Sequence, residues 1–189
     1  AMRELHIGLR RIADDAPCYV IAELGHNQGG SLDTAEQMIR VAAQCGASAV
    51  KLQKREVCTL YTSALLAQPY DHENSYGATY GAHRAALEFG LDDYRACMGT
   101  AAQAGVACFA TAFDEDSARF LVEQVHVKAL KIASGALTDA PLLRAVSEYA
   151  LPIIMSTGGG TLADIDRAVD IVGDCPHALL HCTAEYPLT

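Results

Sequence analysis

Two of the four lysines in the chain, Lys51 and Lys131, lie inside apolar runs: Ala49-Val50-Lys51-Leu52-Gln53 and Ala129-Leu130-Lys131-Ile132-Ala133-Ser134. Burying an ammonium group costs on the order of several kcal/mol unless an anion or a set of hydrogen bonds compensates. Two compensations are open. Each lysine pairs with a neighbouring carboxylate such as Glu23, or both hold an anionic ligand to which Thr111, Ser134 and Ser156 donate hydrogen bonds. The second suits a small molecule carrying phosphate or carboxylate. A Schiff-base lysine is a third chemistry open to such a residue. Alternation along a strand puts Lys51 and Gln53 on one face, and Lys131 and Ala133 on one face of theirs.

Glu23 closes the run Tyr19-Val20-Ile21-Ala22-Glu23-Leu24. A carboxyl at the end of an apolar strand is a candidate for proton transfer, because desolvation favours its protonated form. A salt bridge to Lys51 or Lys131 is equally consistent with the spacing. Ser156-Thr157-Gly158-Gly159-Gly160 leads into a helical stretch, where backbone amides can cradle an oxyanion, although a plain turn explains the glycines as well. His181 and Cys182 have the residue types of a nucleophile pair. Adjacent strand residues face opposite sides, which argues against Cys–His catalysis.

The elements that carry these residues follow a regular pattern. Strands are expected at Tyr19–Leu24, Ala49–Gln53, Ala107–Phe113, Ala129–Ser134, Pro152–Thr157 and Ala178–Thr183. Helices are expected at Leu32–Gly46, Asp92–Gly105, Asp114–Gln124, Ala140–Ala150 and Leu162–Val172. Strands alternating with helices of this size imply an α/β fold with a parallel sheet, either doubly wound or a closed barrel. No GxGxxG fingerprint follows the first strand. In a barrel the chemistry gathers at the C-terminal strand ends, which is where every readable strand here places polar groups. The expectation is a TIM-type (β/α)8 barrel, to which the chain supplies about six strands and five helices. It ends about two units short of the eight, so residues 1–189 read as the N-terminal part of a longer barrel. Residues 54–91, rich in tyrosine and histidine, form a long connection after the second strand, with an expected role in covering substrate.

With 189 residues, 51% of them hydrophobic, the chain can bury one substantial core. A net charge of −9, from 14 basic and 23 acidic residues, argues against nucleic-acid or anionic-membrane partners. No apolar run reaches the ~18 residues of a membrane span, and the start lacks a signal-peptide stretch, so a cytoplasmic protein is expected. The seven cysteines show no CxxC pair or metal-ligand spacing and read as reduced, buried core thiols.

Several segments together resemble the sialic acid synthase family, which joins phosphoenolpyruvate to an N-acetylated hexosamine. They are Ile21-Ala22-Glu23-Leu24-Gly25-His26-Asn27-Gln28-Gly29-Gly30, Lys51-Leu52-Gln53, Thr111-Ala112-Phe113-Asp114, Lys131-Ile132-Ala133-Ser134-Gly135, Ser156-Thr157-Gly158 and His181-Cys182-Thr183-Ala184-Glu185-Tyr186-Pro187. The match runs in order through nearly the whole chain. The resemblance implies a TIM barrel followed by an antifreeze-like domain, in a homodimer. It implies that Lys51, Thr111, Lys131, Ser134 and Ser156 hold phosphoenolpyruvate, that Gln53 and Tyr186 face the sugar, and that Glu23 stands in the reacting centre. It also implies a divalent metal, manganese or magnesium, that activates the sugar aldehyde and takes its protein ligands from outside this chain, His181 not among them. The chain departs from the family pattern at Ala136, where an acidic sugar contact is usual, at Gln28, where histidine is common, and at Ala184, often Asn or Ser. Two alternatives remain: another phosphoenolpyruvate synthase making a 3-deoxy-sugar acid, with Arg55 and Arg84 as basic candidates for an aldose phosphate, or a non-catalytic homologue.

Overall fold

The computed structural model describes residues 4–185. They group into two compact units, 20–108 and the segments 4–19 with 109–185, and each is described by itself. The chain opens with an antiparallel hairpin, β1 (Glu4–Ile7) and β2 (Arg10–Ala13), whose Leu5 and Ile7 point inward while Glu4 and His6 are exposed. The sequence reading did not anticipate this hairpin. Its signals are short: four-residue alternation on each side of a glycine turn.

In the 20–108 unit, β3 (Ile21–Gly25) pairs in parallel with β4 (Ala49–Lys54), and Glu23 stands opposite Lys51. Helix α1 (Leu32–Gln44) begins where the Ser31 hydroxyl accepts the Thr34 N–H at 3.2 Å, satisfying one of the free donors of the first turn. It packs Ala35 and Ile39 inward and lies against α5 (Leu91–Gln103), which buries Tyr94, Cys97 and Ala101. The long connection is ordered by three short helices, α2 (Val57–Leu60), α3 (Ser63–Leu66) and α4 (Tyr80–Leu87). It folds back on the turn after β3. Gly30, at φ +76°, passes so close to α4 that a Cβ there would collide with the Ala86 carbonyl, and buried Gln28 donates to the Leu87 carbonyl at 3.1 Å.

Strand β5 (Ala107–Ala112) leads into the other unit. Asp114 caps α6 (Glu115–Arg119) by accepting the Ser117 N–H at 2.7 Å, so this acid at a strand end starts a helix. The helix expected at Asp114–Gln124 continues from α6 as a π-helical turn, Phe120–Val125, closed by His126 in the left-handed region. Then follow β6 (Leu130–Ile132), a 3-10 turn at Ser134–Ala136, α7 (Ala140–Glu148), β7 (Ile153–Ser156), α8 (Leu162–Val172) and β8 (His177–Leu180). The pairs β5–β6, β6–β7 and β7–β8 are parallel, and β5, β6 and β7 bury nearly every residue. Such strands, covered on both faces, read as apolar runs rather than as alternation.

Sheet order follows chain order from β3 to β8. A doubly wound sheet reverses direction at a switch point, whereas a barrel adds strands in sequence. The fold is therefore a partial TIM-type barrel of six strands. The expected elements are present, with ends moved by at most three residues. Two shifts matter. The fourth expected strand stops at Ile132, so Ser134 sits in the 3-10 turn; the sixth stops at Leu180, so His181 and Cys182 follow the strand. The cysteine expectation is corrected: all seven are free, but only Cys97 and Cys108 are buried, because Cys18 lies in the connection before β3, Cys45 at the end of α1 and Cys58 on the short α2, all exposed. Burial pushes the two core thiols up, to about 11 and about 12, which keeps them protonated and unreactive. Among the described residues, no helix is long and apolar enough to cross a membrane.

Candidate active site

Within the 20–108 unit, the register of β3 and β4 brings Glu23 to Lys51, with Oε2 2.5 Å from Nζ. The lysine side chain is 6% exposed and the glutamate side chain 50%. Burial pushes the Lys51 ammonium below its usual range, Glu23 pulls it partly back, and Arg55 adds to the lowering. For Lys51, carboxylate pairing is thus the arrangement present. Of the two readings open for Glu23, the salt bridge to Lys51 is the one present, and its side chain stays half in solvent.

Gln53 follows Lys51 by two residues and accepts from Arg55 Nη2 at 2.8 Å through Oε1. Its backbone carbonyl accepts from the buried Tyr94 hydroxyl at 2.9 Å. Next to it lies a group that sequence reasoning missed. Glu88 accepts the Arg55 backbone N–H at 3.1 Å and Lys54 Nζ at 3.3 Å. His26 Nε2 stands 3.3 Å from its other oxygen, poorly aligned for a hydrogen bond, and Arg55 Nη1 lies 3.9 Å from that same oxygen. Burial alone would raise the Glu88 pKa. The His26 ring, the Arg55 N–H and the Lys54 charge outweigh it and hold the carboxyl below the usual range. The only sequence signal for this hub is a carboxylate set between two buried apolar residues, Leu87-Glu88-Phe89.

Within the other unit, Thr111 and Lys131 are register partners on β5 and β6, and both are buried. Lys131 Nζ donates to Ser156 Oγ at 2.6 Å and to the Ile132 carbonyl at 2.7 Å. Ser134 Oγ accepts the Gly158 N–H at 3.0 Å. A Cβ on Gly158 would sit 3.0 Å from that oxygen and 3.3 Å from the Ala184 Cβ, so the close approach needs a glycine. The Thr157 N–H and hydroxyl both donate to the Leu180 carbonyl, at 3.1 and 2.9 Å, which fixes the segment after β7. Thr111, Lys131, Ser134 and Ser156 thus belong to one small polar region in an apolar unit. Ala136 is buried at its turn. Tyr186 lies outside the described residues.

The described residues contain no group of three or more His, Cys, Asp or Glu side chains that could hold a metal ion. The resemblance places the protein ligands of the divalent ion outside this chain, and no step below runs through that ion.

The chain has relatives among known proteins, both in sequence and in fold. The NeuB family model matches residues 38–189. The chain belongs to the NeuB family. Among the curated members similar to it is human N-acetylneuraminate-9-phosphate synthase, 35% identical over 95% of this chain and 50% of the human one. Another is N,N'-diacetyllegionaminic acid synthase of Legionella pneumophila, 33% identical over 95% of this chain and 52% of that one. The crystal structure of N-acetylneuraminic acid (sialic acid) synthetase from Leptospira borgpetersenii superposes with a TM-score of 0.84 at 30% identity, covering all of this chain and 62% of that one. The chain spans about half the length of these curated NeuB relatives.

Proposed function

We propose that this NeuB-family chain is part of a synthase that condenses phosphoenolpyruvate with an N-acetylated hexosamine, N-acetylmannosamine or a relative, to a nonulosonic acid with release of phosphate. The observation that carries the reading is the buried Lys131, held by Ser156 beside Thr111, with Ser134 tied to the Gly158 amide. A cation, hydroxyls and a backbone amide gathered in an apolar unit are the donors a phosphate or carboxylate needs. In this reading Lys51, Thr111, Lys131, Ser134 and Ser156 hold phosphoenolpyruvate, and Gln53 and Tyr186 face the sugar. The C3 carbon of phosphoenolpyruvate forms a bond to the aldehyde carbon of the sugar, water adds at C2, and the C2–oxygen bond to phosphate breaks. Glu23 and Lys51, joined by a short ion pair, are the groups that can pass a proton in that sequence. A homodimer, a cytoplasmic setting and a divalent manganese or magnesium ion belong to the same proposal.

Phosphate release from phosphoenolpyruvate by the full-length protein with manganese tests it, with and without N-acetylmannosamine. Acceptor-dependent release is expected. Phosphoenolpyruvate binding without release from any amino-sugar acceptor would remove the synthase reading in favour of a non-catalytic homologue.

A further inference from the structure

Arg55, the first residue after β4, reaches back to Gln53 on the strand, and its Nη2 donates to Gln53 Oε1 at 2.8 Å. A guanidinium carries only donors, so the amide atom that faces it is the oxygen, and the amide cannot flip while the contact stands. The NH2 group is left turned away from the arginine. Among the described residues Gln53 Nε2 makes no hydrogen bond. It lies 3.3 Å from the place a Cβ would take on Gly25. Glu23 Oε1, the partner of the oxygen that meets Lys51, lies 3.3 Å from the same place. A fixed donor and a carboxylate oxygen thus border one point at the end of β3, where Gly25 has no side chain to fill the space.

Arg55 is itself braced. Its backbone N–H donates to Glu88 at 3.1 Å, and Nη1 lies 3.5 Å from His26 Nδ1 and 3.9 Å from Glu88 Oε1. The Gln53 backbone is fixed as well, since its carbonyl accepts from the buried Tyr94 hydroxyl at 2.9 Å. At 8% exposure the Arg55 charge is costly, and for folding alone a neutral side chain would avoid that cost. What the charge adds is a strong, directional hold on one atom of a neutral amide. An amide already held at its oxygen and at its backbone gives up little freedom when a ligand takes its NH2 group.

We propose that Arg55 is a positioning residue for the acceptor sugar: it locks the Gln53 amide with the NH2 outward, so that the sugar meets this point with an oxygen that accepts a hydrogen bond. Arg55 acts through Gln53 and touches no substrate. The role rests on the place of Gln53 beside the sugar in the synthase reading above.

A double-mutant cycle on the full-length protein tests it, read by the KM for N-acetylmannosamine in acceptor-dependent phosphate release and by calorimetric binding of the sugar. Gln53→Ala should raise the sugar KM roughly tenfold, and Arg55→Met roughly three- to tenfold, each with little change in the KM for phosphoenolpyruvate. In the Gln53→Ala background Arg55→Met should add less than about twofold, because the amide it acts through is gone. Arg55→Lys should recover only part of the loss, since an ammonium cannot brace against His26 and hold the amide as a planar fork does. A sugar KM that ignores Gln53→Ala, or an Arg55→Met effect of the same size with and without Gln53, would make the arginine structural and overturn the proposal. Gln53→Glu leaves Arg55 in place and serves where Arg55→Met fails to fold. It turns an oxygen outward instead of NH2 and should raise the sugar KM at least as much as Gln53→Ala; a KM equal to that of the wild type would overturn the lock. Sugar binding that follows the cycle without phosphate release keeps the positioning role and removes the synthase, whereas turnover with independent effects does the reverse. Binding of no amino-sugar acceptor removes both.

Discussion

Replacing Glu88 with Gln keeps the volume of the side chain and an acceptor for the Arg55 N–H, but removes the one charge that Lys54, Arg55 and His26 share. Breaking a buried ion pair from one side costs about 3–5 kcal/mol, because the remaining charge stays buried. Here Lys54 keeps the Phe89 carbonyl at 3.1 Å and Arg55 keeps Gln53 at 2.8 Å, which places the cost at the low end, about 3 kcal/mol. With a urea slope of about 2 kcal/mol/M, the midpoint falls by roughly 1.5 M. Urea unfolding followed by far-UV circular dichroism measures it, with Glu73→Gln on the exposed part of the loop as control. The pH dependence adds a second readout. The Glu88 carboxyl is held below its unfolded value of about 4.3, so its contribution is complete above that pH and is lost as pH falls through the lower, folded value. The gap between wild type and variant should therefore be constant from neutral pH down to about 4.3 and narrow below it. A midpoint shift no larger than the control's, or a gap that closes near neutral pH, would refute the role of Glu88 as the shared counter-charge.

Other perturbations probe the remaining parts. Gly30→Ala forces a side chain into a left-handed turn and against the Ala86 carbonyl, and should cost about 2–4 kcal/mol, read as a lowered Tm and faster hydrogen exchange in α4. Buried His83 accepts the Tyr76 N–H at 3.1 Å, and burial, followed by the charges of Arg84, His26 and His72, lowers its pKa. The unfolded chain then binds more protons, so the order this contact provides is complete above about pH 6.5 and declines below it; exchange at residues 70–83 that is flat from pH 8 to 5 would contradict the assignment. Lys131→Met should leave folding nearly intact while weakening phosphoenolpyruvate binding roughly ten- to hundredfold, and unchanged calorimetric affinity would make the lysine structural. Gly158→Ala presses on Ser134 Oγ and should raise the KM for phosphoenolpyruvate with little change for the sugar.

The fold was legible wherever a strand is covered on both faces. Ala107–Ala112 and Ile153–Ser156 are apolar runs that only a buried parallel strand explains, and Ser31, Asp139 and Thr161 mark helix starts by chemistry that works locally. The hairpin of β1 and β2 escaped because four residues per strand leave too little pattern. The polar groups at strand ends were legible for the opposite reason: Lys51 and Lys131 are costly where they stand, and a costly residue announces a compensating partner even when it does not identify one. The partners themselves were not legible. Glu23 lies 28 residues before Lys51, and Ser156 lies 25 residues after Lys131, and only strand register decides that they meet.

The long connection shows the limit most clearly. Residues 54–91 lack clean periodicity because their order comes from single contacts reaching back to the turn after β3: Gln28 to Leu87, Gly30 against Ala86, His26 beside Glu88. Each contact depends on one residue type at one place, which no propensity sum over a window detects. Glu88 neutralises the cations nearest β4, Lys54 and Arg55, and so fixes the root of the connection. Arg84, one turn earlier on α4, is positioned by Tyr80 rather than by a carboxylate. Glu88 and Tyr80 therefore fix different parts of the connection, its root at β4 and the guanidinium one turn earlier on α4.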